Sequence, residues 1–193
     1  MPITFRIDDV SVNTPREDAL RLVAAIAEAC LTAEIVLAVS PLVHDVSGEV
    51  TADRGRAFPR VLNAMSDHRL FFQVARAGVP AWVADLKASR HNVRTASHGL
   101  VHVDHRLLGC EAQELSIVTS CSLVKTQTFV PPFNHWNKDT ENICQEHEIE
   151  LIKFESGWRH VRFNAFDPKH DLYYLHTHDT NAGWLRQWFK GET

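Results

Sequence analysis

Two neighbouring carboxylates, Asp8 and Asp9, close a short β-like run at "ITFRIDDV". Successive strand residues point to opposite faces, but at a strand end the chain bends and two neighbours can reach one site. Alone, such a pair is more often a turn cap beside a solvated carboxylate. A second group, "SHGLVHVDHR", brings His98, His102 and His105 within eight residues, just after a predicted strand. On a helical turn the four-residue spacing puts the first two imidazoles on one face with Cβ atoms about 5–6 Å apart. That is close enough to share one metal ion if a carboxylate joins them, and Asp9 can supply it. Without that carboxylate such a pair is more often surface decoration. Gly99 permits a tight turn off the strand, and His105 either supports the site or is simply exposed.

A third stretch, "TFVPPFNHWN", runs a strand into Pro131 and Pro132, followed by Phe133, Asn134, His135 and Trp136. The prolines fix the loop backbone, so Pro132, Phe133, Asn134 and Trp136 are candidates for a sugar-binding wall, or else a rigid loop packed on the core. In the fourth, "DLYYLHTHDT", His176 and His178 are two apart and face the same side if the strand continues through them. One imidazole could then protonate a leaving group while the other orients it or binds water.

Strand-like runs at 3–8, 34–40, 92–97, 127–131, 149–154 and 171–176 must carry these groups. Helical patterns lie between them. In "TPREDALRLVAAIAEACL", Thr14 reads as the N-cap and Pro15 as the first helical residue. Further helices are expected at 80–88, 111–123, 138–147 and 180–190. The alternation predicts an α/β fold with a mainly parallel sheet, doubly wound or rolled into a barrel, whose strands end at the ligand site. Residues 41–60 read as an inserted loop and about 60–77 as an irregular helix.

With 193 residues the chain is long enough for one core, and a single domain spanning 1–193 is expected. A net charge of −4 with scattered basic residues gives no footprint for nucleic acid. No run approaches the roughly 20 apolar residues of a membrane span. "MPITFRID" shows no basic segment followed by an apolar run of the kind a signal peptide carries, and Cys30, Cys110, Cys121 and Cys144 lack disulfide or zinc-finger spacing. A cytoplasmic protein with reduced thiols is the expectation.

In order and spacing the four stretches resemble the motifs of the polysaccharide deacetylase superfamily, the NodB-homology carbohydrate esterases (family 4-like). "RIDDV" is similar to its Asp-Asp motif, "HGLVH" to its paired histidines, "VPPFN" to its aromatic and proline loop, and "YYLHTHD" to its terminal Leu-His strand end. The resemblance implies a distorted (β/α) barrel with one divalent ion, zinc first and cobalt, nickel or iron(II) as alternatives, held by Asp9, His98 and His102. It makes Asp8 the general base and His176, or failing that His178, the general acid. It also explains the adjacent carboxylates, because a cation on Asp9 offsets their repulsion. The family's third motif commonly carries an arginine that pairs with the base. Here that place is Val130, so Arg6, Arg106 or Lys125 must supply the charge, or the base is tuned differently.

The implied function is removal of an acyl group, acetyl above others, from an N-acylated sugar or glycan precursor. Hydrolysis of a non-sugar amide of ureide or formamide type is one alternative; a catalytically idle carbohydrate-binding module is the other. Phe133, Trp136 and Trp158 favour a sugar ring over other small-molecule substrates.

Overall fold

The structure is a computed structural model that describes residues 3–11, 14–44, 75–77, 79–88, 91–100, 102–154, 157–178 and 180–192. Its main sheet has seven parallel strands in the order β7-β6-β5-β2-β1-β9-β8. These are β1 (Thr4–Val10), β2 (Glu34–Val39), β5 (Val93–Ser97), β6 (Thr128–Phe129), β7 (Glu150–Leu151), β8 (Arg159–His160) and β9 (Leu172–His176). The helices are α1 (Arg16–Ala29), α2 (Ala81–Lys87), α3 (Cys110–Val124), α4 (Lys138–Glu146) and α5 (Ala182–Phe189). Together they form the distorted (β/α) barrel, in which helical crossovers return the chain so that successive strands run parallel.

Side-chain alternation divides the core in two. Phe5, Ile7, Ile35, Leu37, Val39, Tyr173 and Leu175 form one apolar cluster with Leu22, Val23 and Ile26 of α1, Trp82 and Val83 of α2, and Leu185 and Trp188 of α5. The other face collects Val36, Ala38, Ala96, Val130, Ile152 and Trp158, with Leu172 and Tyr174 packed against them. Arg6 pairs in register with Val36 and Tyr174, and Asp8 with His176, so these polar groups belong to the inner face. All four cysteines are free.

Several sequence expectations change. Thr14 makes no side-chain cap on α1: its hydroxyl accepts from Ser11 N at 2.9 Å and donates to the Asp9 carbonyl at 3.3 Å. Pro15 is therefore the capping residue rather than the first helical one. The loop expected at 41–60 begins with a strand, β3 (Leu42–His44), antiparallel to β4 (Ala75–Ala77). The last three residues of the expected 60–77 helix are thus strand; residues 45–74 lie outside the described residues. The two-residue strand β8 has no periodicity to betray it in the sequence and was not expected.

The loops that carry the chemistry are tied down by buried polar groups. Gln113 on α3 donates to the Leu108 carbonyl at 3.1 Å and accepts from Thr140 Oγ1 at 2.6 Å, joining the segment after β5 to the one after β6. Asn137 and Thr140 complete a capping box on α4. His105, expected to be exposed or supporting, is fully buried. Ser116 Oγ accepts from Leu100 N at 3.0 Å and gives its own proton to His105 Nε2 at 3.1 Å, while His105 Nδ1 donates to the Val103 carbonyl at 3.0 Å. The neutral imidazole thus clamps the loop behind His98 and His102.

Burial holds that imidazole neutral by drawing its pKa from 6.5 down to about 4. An unfolded chain takes up the proton near 6.5, whereas the folded one resists it until about 4. Stability from His105 is therefore complete above the upper value and is lost as pH falls through the window, by about 3 kcal/mol at most. Urea unfolding at about pH 7 and about pH 4.5 should show the wild type losing more stability than His105→Gln. Parallel losses in the two proteins would refute this assignment.

Candidate metal and catalytic site

The site begins with a break in β1. The β1–β2 register shifts between Ile7 and Val10, and Asp9 between them adopts φ 62°. Ile7 and Val10, three apart, both sit in the outer apolar cluster, which regular alternation forbids. This β-bulge lets Asp8 stay on the inner face while Asp9 turns to the same mouth. Asp is among the few non-glycine residues that tolerate the left-handed region, at a cost of about 1 kcal/mol.

Asp9 meets two imidazoles there. Its Oδ1 lies 3.4 Å from His98 Nε2 and 3.0 Å from His102 Nε2. One ligand atom from each of the three residues falls within 4.8 Å of the others. The approach departs from a helical turn at its start: His98 directly follows β5, Gly99 has φ 78°, and the ring centroids of His98 and His102 are 5.0 Å apart. His98 is buried, and its Nδ1 donates to the Val130 carbonyl at 2.9 Å. That bond fixes the tautomer and leaves the Nε2 lone pair directed at Asp9. Asp9 Oδ1 is itself buried without an aligned hydrogen bond. A carboxylate oxygen facing imidazole nitrogens in this way is a donor set that could hold a divalent cation.

The electrostatics agree. Burial opposes charge on Asp9, yet His102, His178 and His98 overcome it and hold the carboxyl well below the usual range. Burial likewise opposes charge on His98, but Asp9 and Asp8 outweigh it and raise its proton affinity. Such a cluster concentrates negative charge where a cation would sit.

Asp8 is almost wholly buried and forms a two-point ion pair with Arg6, Nε to Oδ1 and Nη2 to Oδ2, each at 2.8 Å. Arg6 therefore supplies the charge that Val130 does not. Arg106 instead pairs with Asp104 at 2.8 Å, and Lys125 ends α3 in a left-handed conformation. The Arg6 guanidinium lies 4.8 Å from the Trp158 ring and 5.0 Å from the Tyr174 ring. Its Nη1 has no hydrogen-bond partner, so these π faces partly replace one. Arg6 Nη2 also donates to Asn134 Oδ1 at 2.6 Å. The latter contact recruits Asn134 from the expected sugar-binding wall to the ion pair.

The rest of that wall is divided. Phe133 is exposed at the rim with its ring centroid 4.4 Å from His102, and both Phe133 and Asn134 have positive φ, 57° and 56°. Pro132 is buried and Trp136 half-buried. Trp158 is only 8% exposed and lies against Arg6, so it is no open platform.

The two C-terminal histidines take different places. His178 is largely exposed, with Nδ1 3.1 Å from Asp9 Oδ2. His176 stands beside Asp8 in the β1–β9 register, and its Nδ1 is 3.1 Å from Nε2 of His160. His160 escaped sequence reading because "WRH" belongs to no recurring spacing; the nearby Trp158 was the sole signal there.

No family model matches the chain, and no curated protein matches it. Solved structures do. A family 4 carbohydrate esterase from Streptomyces lividans, in complex with acetate, superposes with TM-score 0.55 at 10% identity, covering 98% of this chain and 86% of that one. The peptidoglycan deacetylase PdaC from Bacillus subtilis gives 0.54 at 11% identity, covering 98% and 82%. A family 4 pseudoenzyme from Bacillus anthracis gives 0.58 at 8% identity, covering 99% of this chain and 60% of that one. At these identities the likeness speaks for architecture: the chain has the fold of the family 4 carbohydrate esterases, the NodB-like polysaccharide deacetylases.

Proposed function

We propose that the protein is a metal-dependent hydrolase that removes an acyl group, acetyl above others, from an N-acylated sugar or glycan precursor. One observation carries the reading: the Asp9, His98 and His102 donor atoms converge beside a second buried carboxylate, Asp8, that is oriented by Arg6 and faces His176 across adjacent strands. A divalent ion held by Asp9, His98 and His102, zinc first among them, would supply Lewis acidity and an activated water.

The chain's own groups divide the remaining work. Arg6 holds Asp8 at both carboxylate oxygens, so the proton it takes as base arrives at a defined place. Asn134 steadies Arg6 from the loop after β6. His176 assists the departing amine. Phe133 offers an exposed face at the rim for a sugar ring. His178, against the outer oxygen of Asp9, orients that carboxylate rather than the leaving group.

Metal analysis of the purified chain should find one divalent ion, and His102→Ala should abolish its retention while far-ultraviolet circular dichroism stays unchanged. Stoichiometric metal in that variant would remove the triad. Asp8→Asn should keep the ion and lose turnover by at least roughly a hundredfold in an acetate-release assay across N-acetylated sugars. Near-normal release would exclude the base, and no release from the wild type with any acylated sugar would favour an idle sugar-binding protein. His176→Ala should cost far more in kcat than in KM, whereas His178→Ala should chiefly weaken metal retention or binding. The reverse pattern would exchange the two roles.

A further inference from the structure

The inner face holds a second imidazole pair whose hydrogen bonds leave little freedom. His160 ends β8 and caps the short 3₁₀ turn Val161–Phe163, where its Nδ1 accepts from the backbone N–H of Arg162 at 3.2 Å. A backbone N–H can only donate, so Nδ1 of His160 carries no proton. The neutral ring must then be protonated at Nε2, the atom 3.1 Å from His176 Nδ1. His160 is the donor in that contact and His176 Nδ1 the acceptor.

The ring has little room to rearrange. It is 5% exposed, with Tyr174 edge-on at 4.7 Å and Phe163 at 4.9 Å between centroids. Its backbone carbonyl accepts from Asn164 Nδ2 at 2.9 Å. The opposite polarity, with His176 Nδ1 donating, would require His160 to carry its proton on Nδ1, pointed at the Arg162 N–H. That exchange forfeits the cap and sets two donors against each other.

We propose that His160 is a positioning residue that fixes His176 as an Nε2–H donor, so that the nitrogen His176 offers to substrate gives a hydrogen bond and does not accept one. The inference rests on the placement of His176 beside Asp8 in the reading above, and it deepens the division of labour there. With His176 Nε2 already protonated, the proton released by an attacking water has one destination, the Asp8 carboxylate. His176 Nε2–H then hydrogen-bonds the departing amine, the proton that amine takes is the one Asp8 received from the water, and the polarity of the site is set by a backbone N–H two steps away, at Arg162.

Two-bond proton–nitrogen correlation spectra of the uniformly ¹⁵N-labelled full chain, recorded as purified and with zinc added, test this directly, with His176 assigned by the signals lost in His176→Gln. His176 should show a protonated Nε2 and an unprotonated Nδ1, and His160 likewise. His160→Leu, which removes the donor, should shift His176 toward a mixture of tautomers and lower kcat by at least about tenfold with KM little changed; His160→Gln, whose amide can donate from a similar place, should restore much of both. A protonated Nδ1 on His176 in the wild type overturns the proposal even if the variants fail to fold, as does an unchanged His176 tautomer in His160→Leu. Expected spectra from a protein without hydrolase activity would uphold the tautomer and remove the hydrolase reading, so the two can fail separately.

Discussion

A two-residue periodicity and a demand for two adjacent carboxylates in one site are incompatible, and the rest of the site depends on how β1 resolves that conflict. Asp9 does so by leaving the extended region: with φ 62° it inserts one residue into the strand, and Val10 regains the outer apolar cluster that Ile7 occupies. The strain is local and costs about 1 kcal/mol. Burial of Phe5, Ile7 and Val10 against α1 and α5 supplies several times that, because each large apolar side chain contributes about 1.5–3 kcal/mol. The Thr14 and Thr177 hydroxyls then hold the Asp9 carbonyl, each at 3.3 Å, so the bent segment is over-determined.

Burying Asp8 next to that bend creates the second constraint. A lone carboxylate there would cost several kcal/mol, and the chain answers with Arg6, two residues earlier on the same strand and hence on the same inner face. Lodging the guanidinium against Trp158 and Tyr174 fixes its plane, and the fork matches both oxygens of Asp8. The charge opposite Asp8 thus comes from its own strand, and Val130, where the resemblance expects an arginine, contributes its carbonyl instead by accepting from His98. Side chain and backbone at one position thus answer different needs.

Histidine is used here as three different parts. His98 donates from Nδ1 and turns a lone pair toward Asp9; His105 donates from Nδ1 into its own loop and clamps it; His160 accepts at Nδ1 from a backbone amide and so presents Nε2–H to His176. In each case a group of fixed polarity, a carbonyl or an N–H, decides the tautomer, because a neutral imidazole has one donor and one acceptor and loses a hydrogen bond if the wrong one faces its partner.

Residue type and spacing alone determined much of this protein. The alternation of strands with helices foretold the parallel sheet, and the Asp8–Asp9 pair, the His98–His102 spacing and the "YYLHTH" ending marked the groups that the fold draws together. Those features are local: hydrophobic period and turn chemistry act over a few residues, so they are written along the chain. Tertiary structure decided the rest. Which cation meets Asp8, why Trp158 lies buried beneath it, that Asn134 serves Arg6, and that His160 faces His176 all depend on strand order and register, which place residues such as Arg6 and Asn134, 128 apart, in hydrogen-bond contact. A polar group's partner is chosen by what burial leaves within about 3 Å of it, and that distance exists only after the sheet has curled around its inner face.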